Sequence, residues 1–386
     1  MTRRTLTRCT LALLLALQAR SARAETFSDI LDTPITRPIG HALAQSIARS
    51  LPVAAASSGV SFVFDPETAA FERETVILGQ LFLERAAPLG KGKWNVTANY
   101  QWVRIDSVDG EVLGALTDTD FPIVDPDTGA QFTIPLFGLD LVTHQFTFGA
   151  TYGLTDDLDV NLTIPVLYSH FEVNVAFRDI ASGRLQTDRV DSSVLGAGDL
   201  FLRSKYRFFS GELAEAAAGL ILRLPSGNED NFQGTGAMEL APLLYLSTQP
   251  FPLGSRFKTQ AHVNGGIDFN AEDVNLSEGR LGVGLDLGMP DRFTVAIAML
   301  SRYPFTGVAP PGAFDVDRVD PATGSMFRAP LLGLERNREN IFDLSFGGRV
   351  NLWRDTVFGL VNVILPLNDA GFRSEVVPLV GLEAAF

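Results

Sequence analysis

The sequence is poor in the residues that anchor most small-site chemistry. Of its 386 residues only Cys9 is a cysteine, so no internal disulfide framework exists. Four histidines (His41, His144, His170, His262) are scattered with neither HExxH nor paired spacing, which argues against a zinc centre. No GxSxG elbow and no P-loop occurs. Basic groups are outnumbered, 31 Lys+Arg against 45 Asp+Glu for a net charge of −14, so nucleic acid is not an expected partner. Beyond the first residues there is no run of ~18 apolar residues, hence no transmembrane helix. A soluble sandwich and a β-barrel that crosses a membrane with strands of ~10 residues both remain.

The first 24 residues read as a secretory signal peptide: "MTRR", a short apolar run "LALLLAL", and small residues at Ala22 and Ala24. Glu25 is the expected mature start. That segment holds five arginines and no acids, so its removal turns 31 basic groups into 26 and −14 into −19. Cys9 leaves with it, and no lipoprotein pattern follows. Residues 25–92 are a separate N-terminal segment, plug-like or periplasmic. Within it Ile39, Leu43, Ile47 and Leu51 recur at i+4, predicting an amphipathic helix ended by Pro52. A strand is expected at 76–85.

From Trp94 the period becomes two. In "RFKTQAHVNGGIDFN", Phe257, Thr259, Ala261, Val263, Ile267 and Phe269 oppose Lys258, Gln260, His262, Asn264 and Asp268. Twelve such segments are predicted, at 94–106, 139–153, 158–171, 198–209, 216–225, 237–248, 256–270, 278–289, 292–303, 341–353, 356–367 and 375–386. Short gaps alternate with longer ones at 107–138, 172–197, 226–236 and 304–340. Tight turns at one rim and long loops at the other describe an outer-membrane barrel. The alternation shows no inter-sheet corner, which favours the barrel over a sandwich. The chain ends on "VPLVGLEAAF", whose terminal Phe386 resembles the signal read by the barrel assembly machinery. The reading is all-β: a twelve-stranded antiparallel transmembrane β-barrel over 93–386, in the outer membrane of a Gram-negative bacterium.

"GAGDLFLRSKYRFF" (196–209) and "AAAGLILRLPSGNEDNFQGTGAMELAPLLYL" resemble the core motifs of the MetA-pathway phenol-degradation family of outer-membrane transporter proteins. "SSGVSFVFDPETAAFER" and "YGLTDDLDVNLTIPV" resemble it too, so the likeness covers most of the mature chain. Ser226 stands where that family has Thr, and the hydroxyl is kept. The resemblance implies a porin-like channel for passive transport of small solutes, aromatic or hydrophobic ones among them.

Parity assigns the faces. On 198–209 Leu200, Leu202, Ser204, Tyr206 and Phe208 look outward, while Asp199, Phe201, Arg203, Lys205 and Arg207 look inward. A cation facing lipid at mid-depth costs about 2–4 kcal/mol, so the opposite parity is excluded. The expected lumen-lining set is Asp199, Arg203, Lys205, Arg207, Arg223, Lys258, His262, Asp268, Arg280, Asp286, Arg302 and Arg349. Two readings of it stay open: a selectivity ladder, or structural pairing with lumen acids and the N-terminal segment. The aromatic residues near strand ends read as interfacial girdles, giving outer-membrane lipid and lipopolysaccharide as partners. "DPDTG" (125–129) and "DPATG" (320–324) read as hairpin tips, and loop 304–340 is long enough to fold back as a lid. His144 and His170 face outward without a His-x-Ser arrangement, so no enzyme, cofactor or metal site is expected. The competing functions are a polypeptide export or assembly pore and a plugged structural barrel.

Overall fold

The computed structural model describes residues 37–53, 62–65, 70–73, 82–290, 292–307, 309, 312–334, 338–353 and 356–386. The signal peptide and most of the expected strand at 76–85 lie outside them, and residues 82–85 form no strand.

Twelve strands close a barrel in which every neighbour is antiparallel. They are β1 (Trp94–Ile105), β2 (Gln131–Gly153), β3 (Leu158–Asp179), β4 (Leu200–Ser210), β5 (Ala214–Leu224) and β6 (Glu239–Thr248). The other six are β7 (Phe257–Asn270), β8 (Glu278–Met289), β9 (Phe293–Pro304), β10 (Ile341–Trp353), β11 (Val357–Pro366) and β12 (Val377–Ala385). Each coincides with one of the alternating segments. β12 pairs with β1 through Leu379↔Gln101 to Ala385↔Asn95. Trp94 and Phe386 exchange backbone hydrogen bonds of 2.8 and 2.9 Å at the seam. Closure leaves no unpaired edge, the condition for a sheet to sit in hydrocarbon.

Side-chain exposure follows the alternation. Leu244, Leu246, Val283, Leu285, Ile297, Phe346, Val361 and Leu382 are exposed, whereas Asn95, Thr147, Asn161, Gln260 and Ser345 are buried. The greasy face therefore points out and the polar face in. Trp94 packs on Tyr152 (centroids 4.6 Å apart) near the short-turn rim, while Tyr100, His144 and Tyr168 cluster nearer the other. Both groups suit the edges of a lipid belt. A bulge between Arg207 and Phe209 breaks the parity at the end of β4, which is why Phe208 and Phe209 are both exposed.

The structure corrects the loop boundaries. β2 and β3 run 23 and 22 residues, well past the lipid belt, and Leu185–Ala197 pairs along β3 from Val166↔Ala197 to Phe177↔Gln186 and Arg178↔Leu185. Residues 131–138 and 172–197 are thus largely a projecting sheet. Their alternation continues because the inner face still packs: Phe171 and Val173 are buried. Leu116–Val124, Asp315–Val319 and Met326–Pro330 add further short strands above the rim. The two DP-x-TG tips are Asx turns: Asp125 accepts from the amides of Asp127 (2.8 Å) and Thr128 (3.0 Å), and Asp320 from Ala322 (2.8 Å). Those backbone hydrogen bonds hold both carboxyls below the ordinary carboxylate value, so any support they give is present when ionised and lost on acidification.

A cation placed on the lipid face at mid-depth tests this orientation. Val283→Arg should cost about 2–4 kcal/mol in reversible unfolding from lipid vesicles, and a neutral result there would mean that β8 does not face lipid.

Candidate functional site

The site is the barrel's interior, and two pieces of the N-terminal segment line it. Helix α1 (Arg37–Ser50) stops where Pro52 disfavours the helical conformation of Leu51. Its Leu43, Ala44 and Ile47, with Leu51 just beyond, are buried in one apolar cluster with Val103, Ile105, Leu139, Leu141, Leu167 and Phe171 of β1–β3. Gln101 donates to the Pro52 carbonyl (2.6 Å), and Gln45 donates to Glu229 (3.0 Å).

Residues 82–89 form a strap tied at four points. Arg85 donates to Gln260 (3.0 Å), and the Ala86 amide donates to Ser247 Oγ (3.0 Å). The Leu89 amide is held by both oxygens of Asp159 (3.0 and 2.8 Å). Lys205 Nζ donates to the carbonyls of Arg85 (3.1 Å) and Ala87 (3.0 Å), with Glu84 and Asp159 at 3.6 and 3.8 Å. The strap turns into β1 through Gly90 and Gly92, both at positive φ. Gly153 lies so close that a Cβ there would collide with the Gly90 carbonyl.

The interior is graded along its axis. Near the short-turn rim the inward residues are polar: Asn95, Asn99 and Gln101 on β1, Thr151, Thr147 and Gln145 on β2, Asp159, Asn161 and Thr163 on β3. Further along the same strands and in the same parity they become apolar, as Val103 and Ile105, Leu141 and Leu139, Leu167 and Phe171. The long loops complete this upper apolar core. Phe232 of loop 225–238 and Phe314, Leu331 and Leu332 of loop 305–340 are buried against it. Fully burying each such side chain is worth about 1.5–3 kcal/mol. A bidentate pair pins the long loop: Arg318 grips Asp118 at 2.5 and 2.7 Å and also donates to the carbonyls of Phe121 (3.0 Å) and Pro330 (2.7 Å).

The residues expected to line the lumen fall into separate groups along the wall. Arg207 lies at the short-turn rim, bonded to Asp157 (2.8 Å) and Glu215 (3.1 Å). Lys205, two residues on, holds the strap. Arg203, two further, stands 5.4 Å over the Phe201 ring and lines a cavity. Asp199 anchors loop 226–236: it accepts from the amides of Gly227 (3.0 Å) and Thr235 (2.9 Å) and from Arg223 (2.8 Å). Arg223 reaches Glu239 at 3.3 Å, Arg349 reaches Glu383 at 2.9 Å, and Arg302 lies 3.9 Å from Glu278. Arg280 pairs with Asp268 and, at 3.3 Å, with Glu278. Lys258 sits opposite Pro252 at the base of β7.

Three side chains make an arrangement that spacing does not announce. Ser247 Oγ is 2.9 Å from His262 Nδ1, and His262 Nε2 is 3.0 Å from Asp286. A neutral imidazole protonated on Nε2 satisfies the whole chain: Nε2–H to Asp286, Ser247 O–H to Nδ1, Ala86 N–H to Ser247. All three side chains are at most 2% exposed, so the relay braces the strap from within the wall. Among the described residues no cluster of His, Cys, Asp and Glu suits a metal ion.

Between the end of α1, the strap and the strands lies a cavity of about 240 Å³. Val103, Ile105, Ile364 and Val377 line one part of it, and Arg203, Arg223, Arg280 and Arg302 another.

No known family matches the chain, and no curated protein does. Among solved structures it is similar to the COG4313 outer membrane channel from Pseudomonas putida F1, at 13% identity over 80% of this chain and 100% of that one, with a TM-score of 0.45. It is also similar to a Pseudomonas aeruginosa FadL homologue, at 10% identity over 78% and 91% with a TM-score of 0.33. The Ralstonia pickettii toluene transporter TbuX shares 12% identity over 77% and 90%, with a TM-score of 0.28. The closed barrel, its outward apolar belt and its aromatic edges make this chain a protein of the Gram-negative outer membrane.

Removing the carboxylate at Asp199 leaves Arg223 half-compensated and frees the amides of 227 and 235. Asp199→Ala should cost about 3–5 kcal/mol and open loop 225–238 to protease, read by cleavage mapping of the folded barrel, while Asp199→Asn keeps part of the protection. Equal protection in the alanine variant would show that loop 225–238 is held by other bonds.

Proposed function

We propose that the protein is a passive channel for small solutes, aromatic or hydrophobic ones among them, with the segment before β1 acting as a plug in its lumen. The observation that carries the reading is the graded interior. A polar lower lumen is followed by an apolar upper one, and a cavity lies where the two meet. A solute that is sparingly soluble in water finds apolar wall there, and the hydrogen-bonding groups below keep the path wet. The reading agrees with the sequence resemblance to the MetA-pathway transporter family, and it needs no catalytic group. Loop 305–340, packed on the apolar core, serves as the lid. Lipid and lipopolysaccharide meet the aromatic edges, and Phe386 is the contact for barrel assembly.

A second reading, a structural barrel with a closed lumen, is favoured by the four ties on the strap. Conductance of the purified protein in planar bilayers, with and without residues 25–90, separates the two. The channel reading expects a small unitary conductance in the intact chain and a several-fold larger one after deletion. Silence in both forms rejects the channel, and current only after deletion favours the closed barrel.

A further inference from the structure

The cavity below α1 has two unlike walls, and the strand order separates them. Val103 and Ile105 lie on β1, Ile364 on β11 and Val377 on β12, three strands that are contiguous across the seam. Arg203, Arg223, Arg280 and Arg302 lie on β4, β5, β8 and β9, outside that group of strands, with Ile221, Leu243 and Leu300 lining the space between them. Counted over the whole lining, arginines and carboxylates nearly balance, six to five. They differ in what they present. The Arg280 side chain is 45% exposed and that of Arg302 22%, whereas Asp268 and Glu278 are 8% exposed. The acids stand behind the guanidinium groups: they neutralise the field but offer the cavity little acceptor surface. A guanidinium carries five N–H donors in a planar fork, so Arg280 can bond Asp268 and Glu278 and still give donors to a third carboxylate.

We infer that this cavity is a binding site for an amphiphilic monocarboxylate, its carboxylate on Arg280 and Arg302 and its apolar body against the β11–β12–β1 wall. The inference deepens the channel reading and rests on it for its physiological meaning, since it names the class of solute that would pause there. A neutral apolar molecule covers one wall and leaves the guanidinium groups bonded to water. A small inorganic anion does the reverse and leaves the apolar wall wet. A cation meets the arginines and is repelled. Only a molecule with both parts satisfies both walls.

The test is calorimetric binding to the full chain in phosphatidylcholine nanodiscs, with 4-phenylbutyrate, the matched alcohol 4-phenyl-1-butanol, and butyrate as probes. The acid should bind about tenfold more tightly than either comparison compound, the scale of one bidentate charged contact. Arg280→Gln should abolish the preference for acid over alcohol and leave the alcohol's affinity unchanged. Ile364→Asn should weaken both phenyl compounds and keep their ratio. Arg302→Gln provides a second head-group variant should Arg280→Gln lose the heat-modifiable gel mobility of a folded barrel. Equal affinity for acid and alcohol in the wild type, or an undiminished preference in both arginine variants, overturns the inference. Because binding is read without transport, a silent bilayer would reject the channel and leave this site standing, and conductance without acid preference would do the opposite.

Discussion

Everything in this molecule follows from a strand having two faces in two different solvents. Once Leu202, Tyr206 and the exposed Phe208 take the lipid side of β4, Arg203, Lys205 and Arg207 have nowhere to go but inward. The same rule acts on β5 to β12 and delivers Arg223, Asp268, Arg280, Asp286 and Arg349 to one confined space. A lipid-compatible exterior is thus bought with a crowded, charged interior. In such a space an isolated charge is costly, and a paired, hydrogen-bonded one is tolerable.

The interior answers that cost with chain as well as with side chains. Asp159 binds the backbone of the strap at Leu89, and Lys205 binds its carbonyls at Arg85 and Ala87. The segment before β1 therefore supplies the amides and carbonyls that wall residues of a barrel this narrow lack among themselves. At the other end the logic inverts. There the inward faces of β1–β3 are apolar, and α1 with Phe232 and Phe314 covers them. One segment thus satisfies a polar wall with its backbone and an apolar wall with its helix face.

The barrel was legible because period-two alternation is a direct record of the two solvents, and all twelve strands and α1 fall where the periodicity puts them. Strand ends were less legible. Alternation in "FEVNVAFRD" persists past the membrane, since protein packing above the rim selects the same pattern as lipid contact below it. Faces could be read, but not what fills them: Val103 and Ile105 are in phase with Asn99 and Gln101, and nothing in the alternation says that a helix will cover them. Ser247, His262 and Asp286 were invisible as a group for another reason. They sit on three neighbouring strands, and only the register, with Ser247 opposite His262 and His262 opposite Gly284, brings Asp286 within reach on the next strand.

Register also explains why three cations on one face of β4 do three different things. Residues two apart lie about 6–7 Å apart along the strand, a step that in a tilted barrel strand is about 5 Å of depth. Arg207 is level with the turn acids and belongs to the rim. Lys205 is level with the strap and fastens it. Arg203 is level with the end of α1, where strap and helix leave a gap, so it faces a cavity. The height of the strap is set by the Asp159 and Lys205 ties and by the glycine turn at 90–92, and the cavity lies between it and the end of α1.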